Sequence, residues 1–297
     1  MATKEIFHPI WRFNTGTADN QTTKDMMKGI LGGMLSVNPE FLTQASTTGQ
    51  LTEASIDALP NPLPTSPVGS EYGYILFRYF DGTRQIFIRI SFRVVNTSWW
   101  GIYVDLGTAV SSSGAITTRL TSAETYITTS TAENTTNATT LICCFDGFFG
   151  ITFRSFESST GVQYSNHIHF SYPENSAGDY DRSRLIVGSF GGTTSNWSWR
   201  HVTFASPGAE LVNRTGATTN KPPLGFAKNS LTTANGIAVT YKYFGFPEIM
   251  KHPNVCFTKW NQARENFQFD DKVWIKQNVG TVQSSDGFWT CMAMRWE

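Results

Sequence analysis

His167-Ile168-His169, within YSNHIHFSY, is the sharpest pairing of chemically capable residues in the sequence. Residues two apart on a strand share a face, so both imidazoles could reach one transition-metal ion. A complete site needs more ligands, and the remaining histidines are His8, His201 and His252. A trimer could complete one by bringing a His-x-His pair from each chain to a shared axis. In PENSAGDYDRSR, Glu174, Asn175, Asp179 and Asp181 set oxygen donors close together, the ligand type of Ca²⁺, although without EF-hand spacing. The same carboxylates are the nearest approach to the acid–base pair of glycoside hydrolysis. Trp197 and Trp199 share one strand face, and aromatic faces bind sugars or anchor protein interfaces. Beside Glu174, Asp179 or Asp181 they would form a carbohydrate platform. Each group also has a plainer reading: polar-face histidines, a solvated turn and core aromatics.

Motifs for other chemistries are missing. There is no GxSxG elbow, since VGSFGG has its glycine misplaced, and neither a Walker A loop nor GxGxxG occurs. Cys143 and Cys144 are adjacent, Cys256 and Cys291 lie far off, and no CxxC appears. Buried free thiols are expected, with no zinc site and no disulfide framework. The sequence therefore predicts a protein that is not an enzyme and has no cofactor.

The elements that must position these residues are mostly strands. In RYFDGTRQIFIRISFRV, Ile86, Ile88, Ile90, Phe92 and Val94 alternate with Phe87, Arg89, Ser91 and Arg93. One face then meets a core and the other is mostly polar; Asp81-Gly82 turns back to YGYILFRYF as partner strand. Arg89 and Arg93 read as part of a wall, solvated or paired with a neighbouring subunit. SWWGIYVDLGTAV, LICCFDGFFGITFRSF, SRLIVGSF, WSWRHVTFA, GIAVTYKYF, DKVWIKQNV and FWTCMAMRW continue the pattern. Without intervening helices this indicates an all-β body, sandwich or jelly-roll-like, built as two stacked sheets or two consecutive domains.

One segment reads as helix: TTKDMMKGILGGMLSV, with Met26, Met27, Ile30, Leu31, Met34 and Leu35 on one side and Thr22 or Thr23 as cap. Gly29, Gly32 and Gly33 weaken it by about 1 kcal/mol each and would let a neighbour approach closely. It could cap the core or dock on another subunit. DALPNPLPTSPVG, with four prolines, predicts an extended connector over 57–69. Residues 1–56 are then an arm carrying the short helix and 70–297 the β-rich body, with an internal break near 206–225. Removing 1–56 should leave the body folded.

Charged residues make up 15% of the chain, against about 25% in an average soluble domain, and net charge is zero. That balance lacks the basic footprint of a nucleic-acid binder and permits self-assembly. No run approaches the ~20 apolar residues of a membrane span. MATKEIFHPIWRF lacks a signal-peptide pattern, so cytosolic synthesis is expected. Sequons at Asn96, Asn134, Asn137, Asn196 and Asn213 should then stay unmodified.

RYFDGTRQIFIRISFR, GIYVDLGTAVSSSGAI and DGFFGITFRSFESSTGVQYSNHIHF together resemble tailed-bacteriophage virion proteins over roughly residues 70–190. The resemblance implies synthesis in a bacterial cytoplasm and incorporation into a virion as a homo-oligomeric structural part. Tail, baseplate or fibre attachment comes first, capsid decoration second, and a carbohydrate- or receptor-binding module of a fibre or spike third. Partners would be copies of the chain, other virion proteins and, for the third role, a host surface glycan. No family motif assigns residue roles.

Overall fold

The computed structural model describes residues 1–8, 21–97, 100–121, 124–126, 138–156, 163–175, 177–191, 196–204, 206–216, 231–233, 236–243, 250–259, 266–269, 272–277 and 290–297. Within them the chain is mostly antiparallel β-structure. It opens with β1 (Thr3–His8), α1 (Gln21–Ser36), β2 (Leu42–Gln44) and α2 (Glu53–Asp57). Next come β3 (Glu71–Phe80), β4 (Gln85–Val94), β5 (Trp100–Val110) and β6 (Ile116–Arg119), which continue from β2 as one sheet, with β7 (Thr125–Tyr126) also pairing β5. A second sheet starts from β1 and adds β8 (Ala138–Phe145), β9 (Phe148–Phe156), β10 (Gln163–Ser171), β11 (Arg184–Gly191), β12 (Asn196–Thr203) and β13 (Ser206–Gly216) in chain order. The third holds β14 (Leu231–Thr233), β15 (Gly236–Tyr243), β16 (Met250–Lys259), β17 (Asn266–Phe269), β18 (Lys272–Gln277) and β19 (Thr290–Arg295), in the order 14-15-16-19-18-17. β2 to β6 in the first sheet and β8 to β13 in the second are meanders, each strand beside its sequence neighbour. A jelly roll interleaves strands through Greek-key crossings, whereas these strands follow one another along each sheet.

The hairpin at Asp81-Gly82 forms as the sequence predicts: Phe80 pairs with Gln85, and Gly82 takes a φ of +86° that favours glycine. Ile86, Ile88, Ile90 and Phe92 point inward with Ile75 and Phe77 of β3 and Ile102, Val104 and Leu106 of β5. Ile142, Phe149, Ile151, Ile168, Phe170 and Val187 of the second sheet join the same cluster, so the two sheets share one core. Arg89 and Ser91 on the opposite face of β4 are buried as well. These two side chains are closed from water on an otherwise polar face.

Residues 1–56, expected as an arm, pack against this core. β1 pairs along its length with β8, from Thr3 opposite Cys143 to His8 opposite Ala138. Met26, Met27, Ile30, Leu31 and Met34 of α1 are buried in the shared cluster, whereas Leu35 is exposed. The helix begins by Gln21, so Thr22 and Thr23 lie inside its first turn. Its glycines do admit a close neighbour, and the neighbour is β1: a β-carbon at Gly33 would run into Ile6 and Ile142. Lys24, also buried, donates from Nζ to the carbonyls of Asp57 (2.9 Å) and Leu59 (2.6 Å). The 57–69 connector is likewise tied down. α2, which its five residues hide from periodicity, ends in it; Leu63 is buried, and the Tyr72 hydroxyl donates to the Pro64 carbonyl at 2.6 Å.

Three turns weld the two sheets at one end. The Asp81 carboxylate, closed to solvent, accepts from the Thr83 and Arg84 amides (2.8 and 2.7 Å), the Tyr172 hydroxyl (2.7 Å) and Arg182 Nη1 (2.5 Å). Arg182 also donates through Nη2 to both oxygens of Asp146 (3.0 and 2.7 Å), in the β8–β9 turn. The third sheet meets the second through Asn254 Nδ2 on Ser171 Oγ (3.3 Å) and the Arg295 guanidinium over the Phe145 ring (4.5 Å). Residues 206–216, at the start of the expected break near 206–225, are strand β13 of the second sheet, and β14 from Leu231 belongs to the third.

Candidate functional site

The four-residue spacing of Arg89 and Arg93 puts both guanidiniums on the polar face of the first sheet. Register supplies their partners: Glu71 sits opposite Arg93 and Asp105 opposite Arg89. Glu71 accepts two bonds from Arg89 (3.0 and 2.7 Å) and one from Arg93 Nε (2.9 Å). Arg93 forks onto Glu124 at 2.5 and 2.6 Å. Arg119 donates from Nε to Asp105 Oδ2 at 2.7 Å and lies 3.9 Å from Glu124. Arg89 covers the Tyr74 ring at 4.3 Å and Arg93 covers Tyr103 at 4.9 Å. The expected pairing with a neighbouring subunit is satisfied within the chain.

These six groups, with Ala115 and Ile116, line a cleft of about 250 Å³. Three guanidiniums face three carboxylates, so its formal charge is zero. Burial raises the Asp105 carboxyl above the ordinary range, against the opposing pull of Arg119. Burial also disfavours the Arg93 charge, but Glu124 and Glu71 outweigh it and hold the guanidinium ionised. Glu71 and Glu124 are both clasped by arginine, which leaves neither as a free base. Two buried atoms stand without a hydrogen-bond partner on this face: Asp105 Oδ1 and the Ser91 hydroxyl. Arg119, nearly half exposed, is the loosest member of the ring. Glu71, Asp105, Arg119 and Glu124 escape a reading by motif; the available signal was a pair of arginines on one face of an otherwise apolar strand.

His167 and His169 share a face as predicted, but their geometry is not that of a chelate. His167 Nε2 lies 2.6 Å from His169 Nδ1, a hydrogen bond between the rings, while His167 Nδ1 is 2.7 Å from Thr152 Oγ1. Two nitrogens on one tetrahedral zinc, each about 2.0–2.1 Å from it, stand about 3.3 Å apart. Both histidines are fully buried, and burial then the neighbouring His167 hold His169 well below the ordinary imidazole value. Among the described residues no three His, Cys, Asp or Glu side chains are grouped to hold a metal. Within the single chain the pair forms part of a buried polar ladder with Thr152.

Glu174, Asp179 and Asp181 lie in a loop that closes on itself. Asn175 Oδ1 accepts from the amides of Ala177 and Asp179, both at 2.9 Å. Asp181 accepts from the Ser183 amide (2.9 Å) and hydroxyl (2.5 Å) and approaches Arg184 at 3.4 Å. Glu174 forms an isolated bridge with Tyr180. β12 sets Trp197 opposite Phe190 and Trp199 opposite Gly188; their side chains, and those of Cys256 and Cys291, lie outside the described ones. Cys143 and Cys144 are buried thiols outside any disulfide, and burial raises the Cys144 thiol. Among the described residues no helix is long and apolar enough to cross a membrane.

No protein-family model, curated protein or solved structure matches the chain.

Proposed function

We propose that this chain is a non-enzymatic structural component of a bacteriophage virion, a homo-oligomeric part of the tail, baseplate or fibre attachment. Its body is a two-layer β-sandwich extended by the third sheet. The observation that supports this most is the saturated charge lattice of Glu71, Arg89, Arg93 and Glu124: the ionisable groups that meet are spent on one another and stiffen a wall. Such bidentate pairs hold geometry without offering a nucleophile or a free base. Electron microscopy of phage particles labelled against the chain tests the role. Label in threefold or sixfold rings at the tail supports it, label across the shell lattice moves the chain to capsid decoration, and particles without label refute both.

A second reading, the carbohydrate- or receptor-binding module, is favoured by one observation: the neutral cleft beside Asp105, rather than the tryptophans and the Glu174–Asp181 loop.

A further inference from the structure

We infer that the cleft between β3, β4, β5 and β6 binds one neutral, polyhydroxylated ligand, a single glycosyl residue. This deepens the second reading and stands independently of the virion role. A ring of three guanidiniums and three carboxylates carries no formal net charge to draw an ion of either sign. What it offers is one partnerless acceptor, Asp105 Oδ1, beside the half-exposed Arg119 donors, and a sugar hydroxyl is donor and acceptor at once.

Asp105 supplies the anchor. Its side chain is 2% exposed, Oδ2 is held by Arg119 Nε, and Oδ1 has no partner. A buried carboxylate oxygen left alone is costly, and an O–H donor from the cleft relieves it. Arg119 is the group that can yield: it is 45% exposed, and beyond Asp105 its nearest acceptor is Glu124 at 3.9 Å. Swung outward, it opens the carboxylate and brings guanidinium donors to the ligand's other hydroxyls. Ile116 and Ala115 form the apolar side against which the C–H face of a pyranose packs. The Tyr74 and Tyr103 faces are covered by Arg89 and Arg93, so aromatic stacking plays no part here. At roughly 30 Å³ per water in the liquid, the volume equals about eight waters, room for one sugar ring and little more.

The test uses the full-length chain. Glucose, galactose, mannose and N-acetylglucosamine are each titrated to millimolar concentrations under saturation-transfer NMR, and the same protein is applied to a glycan array. Free-sugar binding without an array signal identifies a soluble monosaccharide; an array signal identifies a terminal residue of a surface glycan. Asp105→Asn keeps an acceptor for Arg119 and replaces the partnerless oxygen by an NH₂ donor. Binding should weaken about 10- to 100-fold. Ala115→Leu fills the cleft from an exposed position without touching an ion pair and should abolish binding even if Asp105→Asn fails to fold. Binding by neither arm overturns the inference, as does binding that survives Ala115→Leu. A cleft holding only ordered water on Asp105 in the presence of every sugar overturns it as well. Particle incorporation by Ala115→Leu, measured separately, reports on the virion role alone.

Discussion

Asp81 allows the most direct test of how the two sheets are joined. Replacing it with alanine strands four donors, which do not count equally. Tyr172 is fully buried, so its hydroxyl cannot turn to water, at about 1–3 kcal/mol. The Arg84 amide is part-buried and adds about 1 kcal/mol, while the exposed Thr83 amide is rescued by solvent. Arg182 retains Asp146 and is a third exposed, which limits its share to well under what a buried pair would lose. We expect Asp81→Ala to lose about 2–4 kcal/mol, the sum of these unequal shares. Asp81→Asn, which keeps one acceptor and the volume, should lose about 1–3 kcal/mol. The assay is urea unfolding followed by circular dichroism at neutral pH, with a double-mutant cycle against Tyr172→Phe. Burial alone would raise the Asp81 carboxyl, but the hydrogen bonds from Arg84, Tyr172, Thr83 and Arg182 outweigh it and hold it below the ordinary value. Its contribution is therefore full above the unfolded carboxylate pKa and disappears as pH falls through the lowered folded one. A loss below about 1 kcal/mol for Asp81→Ala, or additive Asp81 and Tyr172 variants, would refute the reasoning.

Deleting residues 1–56 should prevent folding rather than release an intact body. Five buried side chains of α1 at about 1.5–3 kcal/mol each match the whole stability of a typical domain, and loss of the cooperative urea transition is the readout. His8, pushed down to about 4 by burial, is neutral when folded, so its contribution is complete above pH 6.5 and is lost between there and pH 4. That amounts to roughly 3 kcal/mol, and His8→Gln should flatten this part of the stability-versus-pH curve. Gly33→Val should cost about 1–3 kcal/mol by forcing β1 off the helix, seen as faster amide exchange along Thr3–His8.

Strand alternation at Ile86–Val94, the Asp81-Gly82 turn and the apolar stripe of α1 were legible in the sequence, because each depends on a few neighbouring residues. α2 was not, since five residues are too short for a period, although Thr52 and Ser55 form its capping box. The His-x-His pair shows how far spacing carries. Alternation placed both rings on one face, while the partner strand decided that they bond to each other and to Thr152.

By itself the sequence determined an antiparallel β protein of low charge with few helices, since backbone geometry and local side-chain period suffice for that. Only the tertiary structure decided that residues 1–56 belong to the core, that Arg182 reaches Asp81 across the two sheets, and that Arg89 and Arg93 meet Glu71 and Glu124. The physical reason is register. Which polar groups face each other across strands depends on how sheets order and stack to bury their apolar faces, a property of the whole chain that no short stretch encodes.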